Sequence, residues 1–264
     1  MSGVCISHKE DVDGICSAAV VKAAFDISKV ILVDYANLIS RLEKTAAMLD
    51  NIEQLFICDL GLSKKNEQKF AELLDRIVSA GTEVIYIDHH DISKETLHTL
   101  KKADVTLIRT IEECTSMQAY TKYKKKLPEH AAFLAAMGAL TDYMENKPLA
   151  SAIVSRFDRQ FLMLESTALS YMISANQHDD AFLIKIVETL SKMKYPHDIK
   201  GGFEIAEKFA KKVANAVESI QESVVKLDNI AYAPSAVELS SSMVVNFVLG
   251  SSGKPVAMVY KLKD

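Results

Sequence analysis

The sequence has no tryptophan, and its tyrosines and phenylalanines are scattered rather than interleaved with lysine and arginine. A groove that stacks successive bases of a long single strand needs aromatic and basic residues side by side. The formal net charge of −4 likewise argues against a broadly basic nucleic-acid surface, while leaving room for a local positive cleft. The one basic run, "KYKKKL" (122–127), reads as a solvated helix face. No apolar run approaches the ~20 residues that span a bilayer, and the N-terminus lacks a signal-peptide layout, so a cytoplasmic protein with no membrane partner is expected. The four cysteines (Cys5, Cys16, Cys58, Cys114) form no CxxC pair. That makes a thiolate zinc site improbable and free buried thiols the expected state. Internal repeats and low-complexity segments are also missing.

What the sequence does contain is an alternation of two periods over its first ~110 residues. Short apolar runs, "GVCIS" (3–7), "KVILVDY" (29–35), "QLFICDL" (54–60), "EVIYIDH" (83–89) and "DVTLIRT" (104–110), predict buried strands. Helical patterns over roughly 14–25, 37–50 and 63–80 lie between the first four. In the last of these Ser63 is placed to cap the start and Gly81 to end the helix, while Phe70, Leu73, Leu74, Ile77 and Val78 share an apolar face. The expected fold class is α/β: a mostly parallel sheet with helices on both faces. Residues 114–193 read as helices with polar breaks near 127–129 and 146–148. "YPHDIKGG" (195–202) reads as a domain boundary, and an amphipathic helix over 203–227 follows. Strands are then predicted at 229–234, 243–250 and 254–262. The expected division is 1–195 for the main domain, 196–227 for linker and bridging helix, and 228–264 for a small, incomplete α/β unit.

In an open parallel sheet ligands bind beyond the carboxyl ends of the strands, and polar groups concentrate there. The first strand exits into "SHKEDVDG", with His8, Glu10, Asp11 and Asp13; the third exits into Asp59; the fourth exits into "DHHD", Asp88 to Asp91. Carboxylates mixed with imidazoles at one rim suit a divalent transition metal such as Mn²⁺, which takes both oxygen and nitrogen ligands. Asp11 and Asp13 can face neighbouring ions, with Asp59 central enough to bridge a two-metal site for in-line displacement at phosphorus. Simpler roles compete at each position. Asp11 or Asp13 could cap the helix beginning near Gly14, Asp59 could be a turn residue, and His89 and His90 could be a loop pair.

"SHKEDVDGICSAA", "FICDLG", "YIDHHD" and "GALTDYMEN" resemble, in order, the four motifs of the DHH phosphoesterase family, with Asp88-His89-His90 as the triplet that names it. The resemblance covers residues 3 to 145, and "ECTSMQAY" (113–120) resembles the family's segment after the triplet. It implies a two-Mn²⁺ site, with Mg²⁺ or Co²⁺ as substitutes. His8, Asp11 and Asp59 would hold one ion, and Asp13, Asp59, His89 and Asp142 the other. His90 would face the scissile phosphate or its leaving oxygen, and Asp88 would orient the histidines rather than bind metal.

Two departures are visible. The nuclease branch commonly reads His-x-Asp-x-Asp-Gly, whereas two residues separate His8 from Asp11, making Glu10 either an alternative ligand or solvated. Members with the usual companion domain also end in a glycine-rich motif that grips substrate, and this sequence stops at "VYKLKD" without one. The expected function is hydrolysis of phosphodiester or phosphomonoester bonds in short oligonucleotides or small nucleotides, by water activated between two metals. Rival expectations are a RecJ-like single-strand exonuclease, an inorganic pyrophosphatase or polyphosphatase, and a non-catalytic scaffold. The implied partners are a short oligonucleotide or nucleotide, or single-stranded nucleic acid for the exonuclease; an oligomer is left open.

Overall fold

The computed structural model describes residues 3–47, 52–235 and 239–261. All five predicted N-terminal strands are present: β1 (Gly3–His8), β2 (Ile27–Val33), β3 (Gln54–Cys58), β4 (Glu83–Asp88) and β5 (Thr106–Arg109). They pair in parallel in the order β2-β1-β3-β4-β5. The helices between them are α1 (Val12–Ala24), α2 (Leu38–Ala46), α3 (Lys64–Ser79) and α4 (Lys94–Lys102). Residues 48–50, the end of the second predicted helix, lie outside the described residues.

Alternation of side chains along each strand feeds two cores. One face of the sheet packs on α2, α3 and α4 through Ile6, Leu55, Ile57 and Tyr86 against Leu38, Leu42, Phe70, Leu73 and Ile77. Burying each such aliphatic side chain is worth about 1.5–3 kcal/mol, so this layer fixes the sheet. The apolar face read at 70–78 is the one that packs. Ser63 precedes α3 without a side-chain capping bond, and Gly81 takes the left-handed conformation (φ 95°) beyond its end.

The other face carries α1 with α5 (Thr115–Tyr123), α6 (Ala131–Thr141) and α9 (Asp180–Ser191). α1 is apolar nearly all round and buried from Val12 to Val21, as a helix between a sheet and further helices must be. α7 (Pro148–Val154) and α8 (Arg159–Ala175) complete the helical part, with a 3₁₀ turn at Pro196–Asp198.

The chain divides into two compact units, Met1–Phe203 and Glu204–Asp264. α10 (Gly202–Ser223) starts at the junction. The second unit has a three-stranded sheet of β6 (Val225–Lys226), β7 (Ile230–Pro234) and β8 (Val256–Tyr260), with β6 antiparallel and β8 parallel to β7. The strand expected at 243–250 is instead helix, α11 (Ser241–Ser252). A short apolar run does not distinguish strand from buried helix. Here the ends decide: Ser240 Oγ accepts from Met243 N at 3.3 Å, Gly253 closes the helix at φ 65°, and Val244 and Val248, four apart, are buried. A helix is also what a parallel β7–β8 pair needs as its crossover.

The first unit's strand order places the site. The chain leaves β1 on one side for β2 and returns to β3 on the other, so β1 and β3 diverge at a topological switch point. His8 ends β1, and Asp59 follows β3.

Candidate metal centre

His8 is 2% exposed and directly precedes the turn into α1. Asp11 is the N-cap of that helix, and its two oxygens divide the competing roles. Oδ1 accepts from Gly14 N at 2.8 Å, while Oδ2 lies 3.4 Å from His8 Nε2. Capping and ligation are therefore compatible in this residue. Glu10 is half-exposed, with Oε2 3.9 Å from the same nitrogen. Gly14 is required by proximity, since a Cβ there would meet the His8 carbonyl oxygen at 2.5 Å.

Asp13 is fully buried, seated on the N-terminus of α5. It accepts from Thr115 N at 2.7 Å, from Ser116 N at 2.9 Å and from the Ser116 hydroxyl. Free amides at a helix start favour an anion. Gly138 of α6 backs the seat, because a Cβ there would fall 2.5 Å from Asp13 Oδ1 and against Ser116 Oγ.

Asp59 is 1% exposed and holds φ at 57°, a region aspartate tolerates better than most residues. Thr115 Oγ1 donates to its Oδ1 at 3.0 Å, and His89 Nε2 lies 3.4 Å from the same oxygen. His89 Nε2 is also 3.4 Å from Oδ2 of Asp142, the C-cap of α6. Two sets of ligand atoms close enough to hold an ion result: Asp13, His89 and Asp142, and Asp59, His89 and His90. His8 and Asp11 pair with each other and belong to neither set.

The triplet is fixed from behind. Asp88 Oδ1 lies 2.9 Å from His90 Nδ1, and its Oδ2 lies 2.8 Å from the Tyr86 hydroxyl and 3.8 Å from Arg109. Arg109 also donates to the His90 carbonyl. The Gln118 amide nitrogen lies within hydrogen-bond distance of the carbonyls of Asp88, Thr110 and Glu113. The His90 ring packs over Gly61, where a Cβ would come 2.8 Å from its Cγ.

Electrostatics set the acids of this rim against one another. Burial pushes the Asp59 carboxyl well up, and the charges of Asp11, Asp13, Asp142 and Asp88 push it further. Burial, then Asp13 and Asp11, raises Asp142 to about 9. Burial pulls His89 down, favouring the neutral ring that a metal requires. His90 shifts the other way: burial lowers it, but the hydrogen bond and charge of Asp88 more than offset that. Burial raises the Tyr35 phenol, with Asp59, Asp11, Asp88 and Asp142 adding to it.

These residues fit divalent cations. Bound ions would relieve the mutual repulsion of Asp13, Asp59 and Asp142, and mixed oxygen and nitrogen donors suit a divalent transition metal. His8 supplies a second sign: its Nδ1 is buried without a hydrogen-bond partner among the described residues. Sequence reading named the ligand candidates but missed their supports. Thr115 and Ser116 lie in "ECTSMQAY", where family likeness was visible but no role. Tyr35, Tyr86, Arg109 and Gly138 gave no signal, because their importance rests on contacts distant in sequence.

Among the described residues, no helix is long and apolar enough to cross a membrane, and all four cysteines are free and buried. A comparison with curated proteins finds no match. Among solved structures, a pGpG-specific phosphodiesterase, PggH from Vibrio cholerae, aligns at TM-score 0.58 and 10% identity, over 100% of this chain and 79% of its own. CDC45 from Entamoeba histolytica aligns at TM-score 0.66 and 11% identity, over 95% of this chain and 78% of its own. At such identities the likeness is one of fold. The model of the DHH family N-terminal domain matches residues 3–139, just over half of the 264-residue chain. With its triplet at the end of β4, and its acidic clusters at the ends of β1 and β3, the chain belongs to the DHH family.

Proposed function

We propose that the protein is a metal-dependent phosphoesterase that hydrolyses phosphodiester or phosphomonoester bonds in short oligonucleotides or small nucleotides. The observation that carries this reading is the convergence of Asp13, Asp59, His89 and Asp142 on one rim, with Asp59 and Asp142 raised by burial and by the charges of neighbouring acids. In the proposed assignment His8, Asp11 and Asp59 hold one Mn²⁺, and Asp13, Asp59, His89 and Asp142 hold another, with Asp59 shared. Such a pair lowers the pKa of water and neutralises charge at phosphorus. Asp13 is oriented by Thr115 and Ser116, and Asp59 by the Thr115 hydroxyl. His90, biased toward its protonated form by Asp88, donates to a phosphoryl or leaving oxygen, and Asp88 fixes the ring that does so.

The fold shared with a pGpG-specific phosphodiesterase makes a dinucleotide the first substrate to test. The scattered aromatics and net acidity favour short substrates over a processive single-strand exonuclease. The test is hydrolysis of a labelled series from pGpG to a 20-mer, with Mn²⁺ and with chelator, beside phosphate release from pyrophosphate. Mn²⁺-dependent cleavage strongest on the shortest members supports the proposal. Stepwise shortening of the 20-mer would replace it with the exonuclease, and turnover of pyrophosphate alone with the pyrophosphatase. Bound metal without turnover of any substrate would favour a scaffold. His90→Ala is expected to keep both ions while slowing chemistry about a hundredfold; loss of metal there would exchange the roles of His89 and His90.

A further inference from the structure

Resting on the assignment of His90 to the phosphate, we propose that Tyr35 is a further catalytic residue, whose hydroxyl forms with His90 Nε2 a two-donor cradle for one non-bridging phosphoryl oxygen. Tyr35 lies in the turn between β2 and α2. Its ring stacks on His8, with centroids 4.2 Å apart and planes 18° from parallel. Its hydroxyl reaches across the rim to 3.2 Å from His90 Nε2. The other nitrogen of His90 is committed to Asp88, so Nε2 is the atom His90 can offer to substrate, and Tyr35 is already beside it.

The spacing suits a shared acceptor. Two donors 3.2 Å apart can both reach one oxygen at ordinary hydrogen-bond lengths of about 2.8 Å. The ring is 40% exposed, so substrate can reach the hydroxyl without unpacking the core. Tyr35 forms no bond to phosphorus and transfers no proton; it donates a hydrogen bond to an oxygen whose negative charge grows as the new bond forms. Donors fixed in advance at such a position act on the chemical step. Covering His8 would not by itself require tyrosine. Phenylalanine could make the same stack and the same edge contact of the ring with His90, centroids 5.8 Å apart; only tyrosine adds a hydroxyl beside Nε2.

The test compares Tyr35→Phe, Tyr35→Leu, His90→Ala and the Tyr35→Phe/His90→Ala double variant. Three readouts apply: Mn²⁺ stoichiometry and affinity by calorimetry, inorganic phosphate affinity of the Mn²⁺-loaded protein, and hydrolysis of bis(p-nitrophenyl) phosphate. Tyr35→Phe should bind Mn²⁺ as the wild type does, bind phosphate about tenfold more weakly and lose about a hundredfold in kcat, the lower end of the range for one such donor. Tyr35→Leu should additionally weaken Mn²⁺ binding, through the lost stack on His8. In the His90→Ala background, Tyr35→Phe should cost less than about threefold, because the two groups serve one oxygen. Wild-type phosphate affinity and kcat in Tyr35→Phe would overturn the cradle, as would full additivity with His90→Ala. If the wild type hydrolyses no ester, the phosphoesterase reading fails by itself, and the phosphate affinities still decide whether Tyr35 contacts the anion.

Discussion

Buried carboxylates occur in two very different settings in this protein. Away from the rim, Glu67, Glu113 and Glu165 are supplied with donors by the chain itself. Glu67 accepts from Ser93 N at 3.1 Å and the Thr96 hydroxyl at 2.6 Å. Glu113 accepts from Leu149 N and Ala150 N at the start of α7, at 2.7 and 3.1 Å. Glu165 holds the turn before α10 through His197 N and Nδ1. At the rim Asp59, with a single hydroxyl donor from Thr115, and Asp142 face other acids. The shifts separate the two kinds: burial raises Glu67, but its hydrogen bonds from Ser93 and Thr96 outweigh that and hold it low, whereas Asp59 and Asp142 are driven up. Burial alone therefore does not mark a functional acid. What sets Asp59 and Asp142 apart is a neighbourhood of like charge that a bound cation would relieve.

The contrast can be broken by substitution, and the largest effect is expected at Asp59. Asp59→Ala should remove both ions by elemental analysis and reduce hydrolysis to the chelator-treated level; retained turnover would defeat its bridging assignment. Next is Gly138→Ala, where the added methyl group displaces Asp13 or Ser116. Mn²⁺ affinity should fall about ten- to a hundredfold by titration with the fold kept, as for losses in the support of a metal ligand. Unchanged affinity would mean that the seat of Asp13 is not needed for binding.

Glu113→Ala probes the other kind of acid. Leaving two amides of α7 without their acceptor should cost about 1–3 kcal/mol, seen as a lower Tm with metal stoichiometry intact. Loss of metal instead would erase the distinction between the two settings.

Last is a pH dependence of the chelated protein. Asp142 is raised to about 9 from an ordinary 3.8. Between those values the folded protein keeps a proton that the unfolded chain has released, so this group makes stability fall as pH rises from about 4 to 9. Glu67, held below its ordinary 4.5, acts oppositely, and its contribution is lost on acidification through that region. Urea melts of wild type and Asp142→Asn, in chelator at pH 5 and pH 8, should show a decline at pH 8 that the variant lessens. Equal declines would show that Asp142 is not strained in the metal-free protein.

Much of this contrast was legible in the sequence, for a physical reason. Strands buried on both faces write themselves as apolar runs, and whatever polar group follows such a run emerges at a strand end. His8, Asp13, Asp59 and His89 are found that way. Asp142 ends a helix in "LTDYME", where local pattern is silent, and only family resemblance singled it out. The donors that hold Glu67 low come from 26 and 29 residues away, and no local spacing encodes them. The misread stretch at 243–250 failed because valines packed on one side of a short helix look, in sequence, like a buried strand.

The seat of Asp13 also orders events during synthesis. Its donors lie 102 and 103 positions downstream, and Asp142 is later still. At about 5–20 residues per second a ribosome needs on the order of ten seconds to travel from the first motif to the last. Until α5 has emerged, the sheet presents Asp13 and Asp59 without the donors that Thr115 and Ser116 supply. On the proposed ligand set full metal loading would therefore be a late event, and the ion content of a preparation would count the molecules in which α5 and α6 have docked on α1.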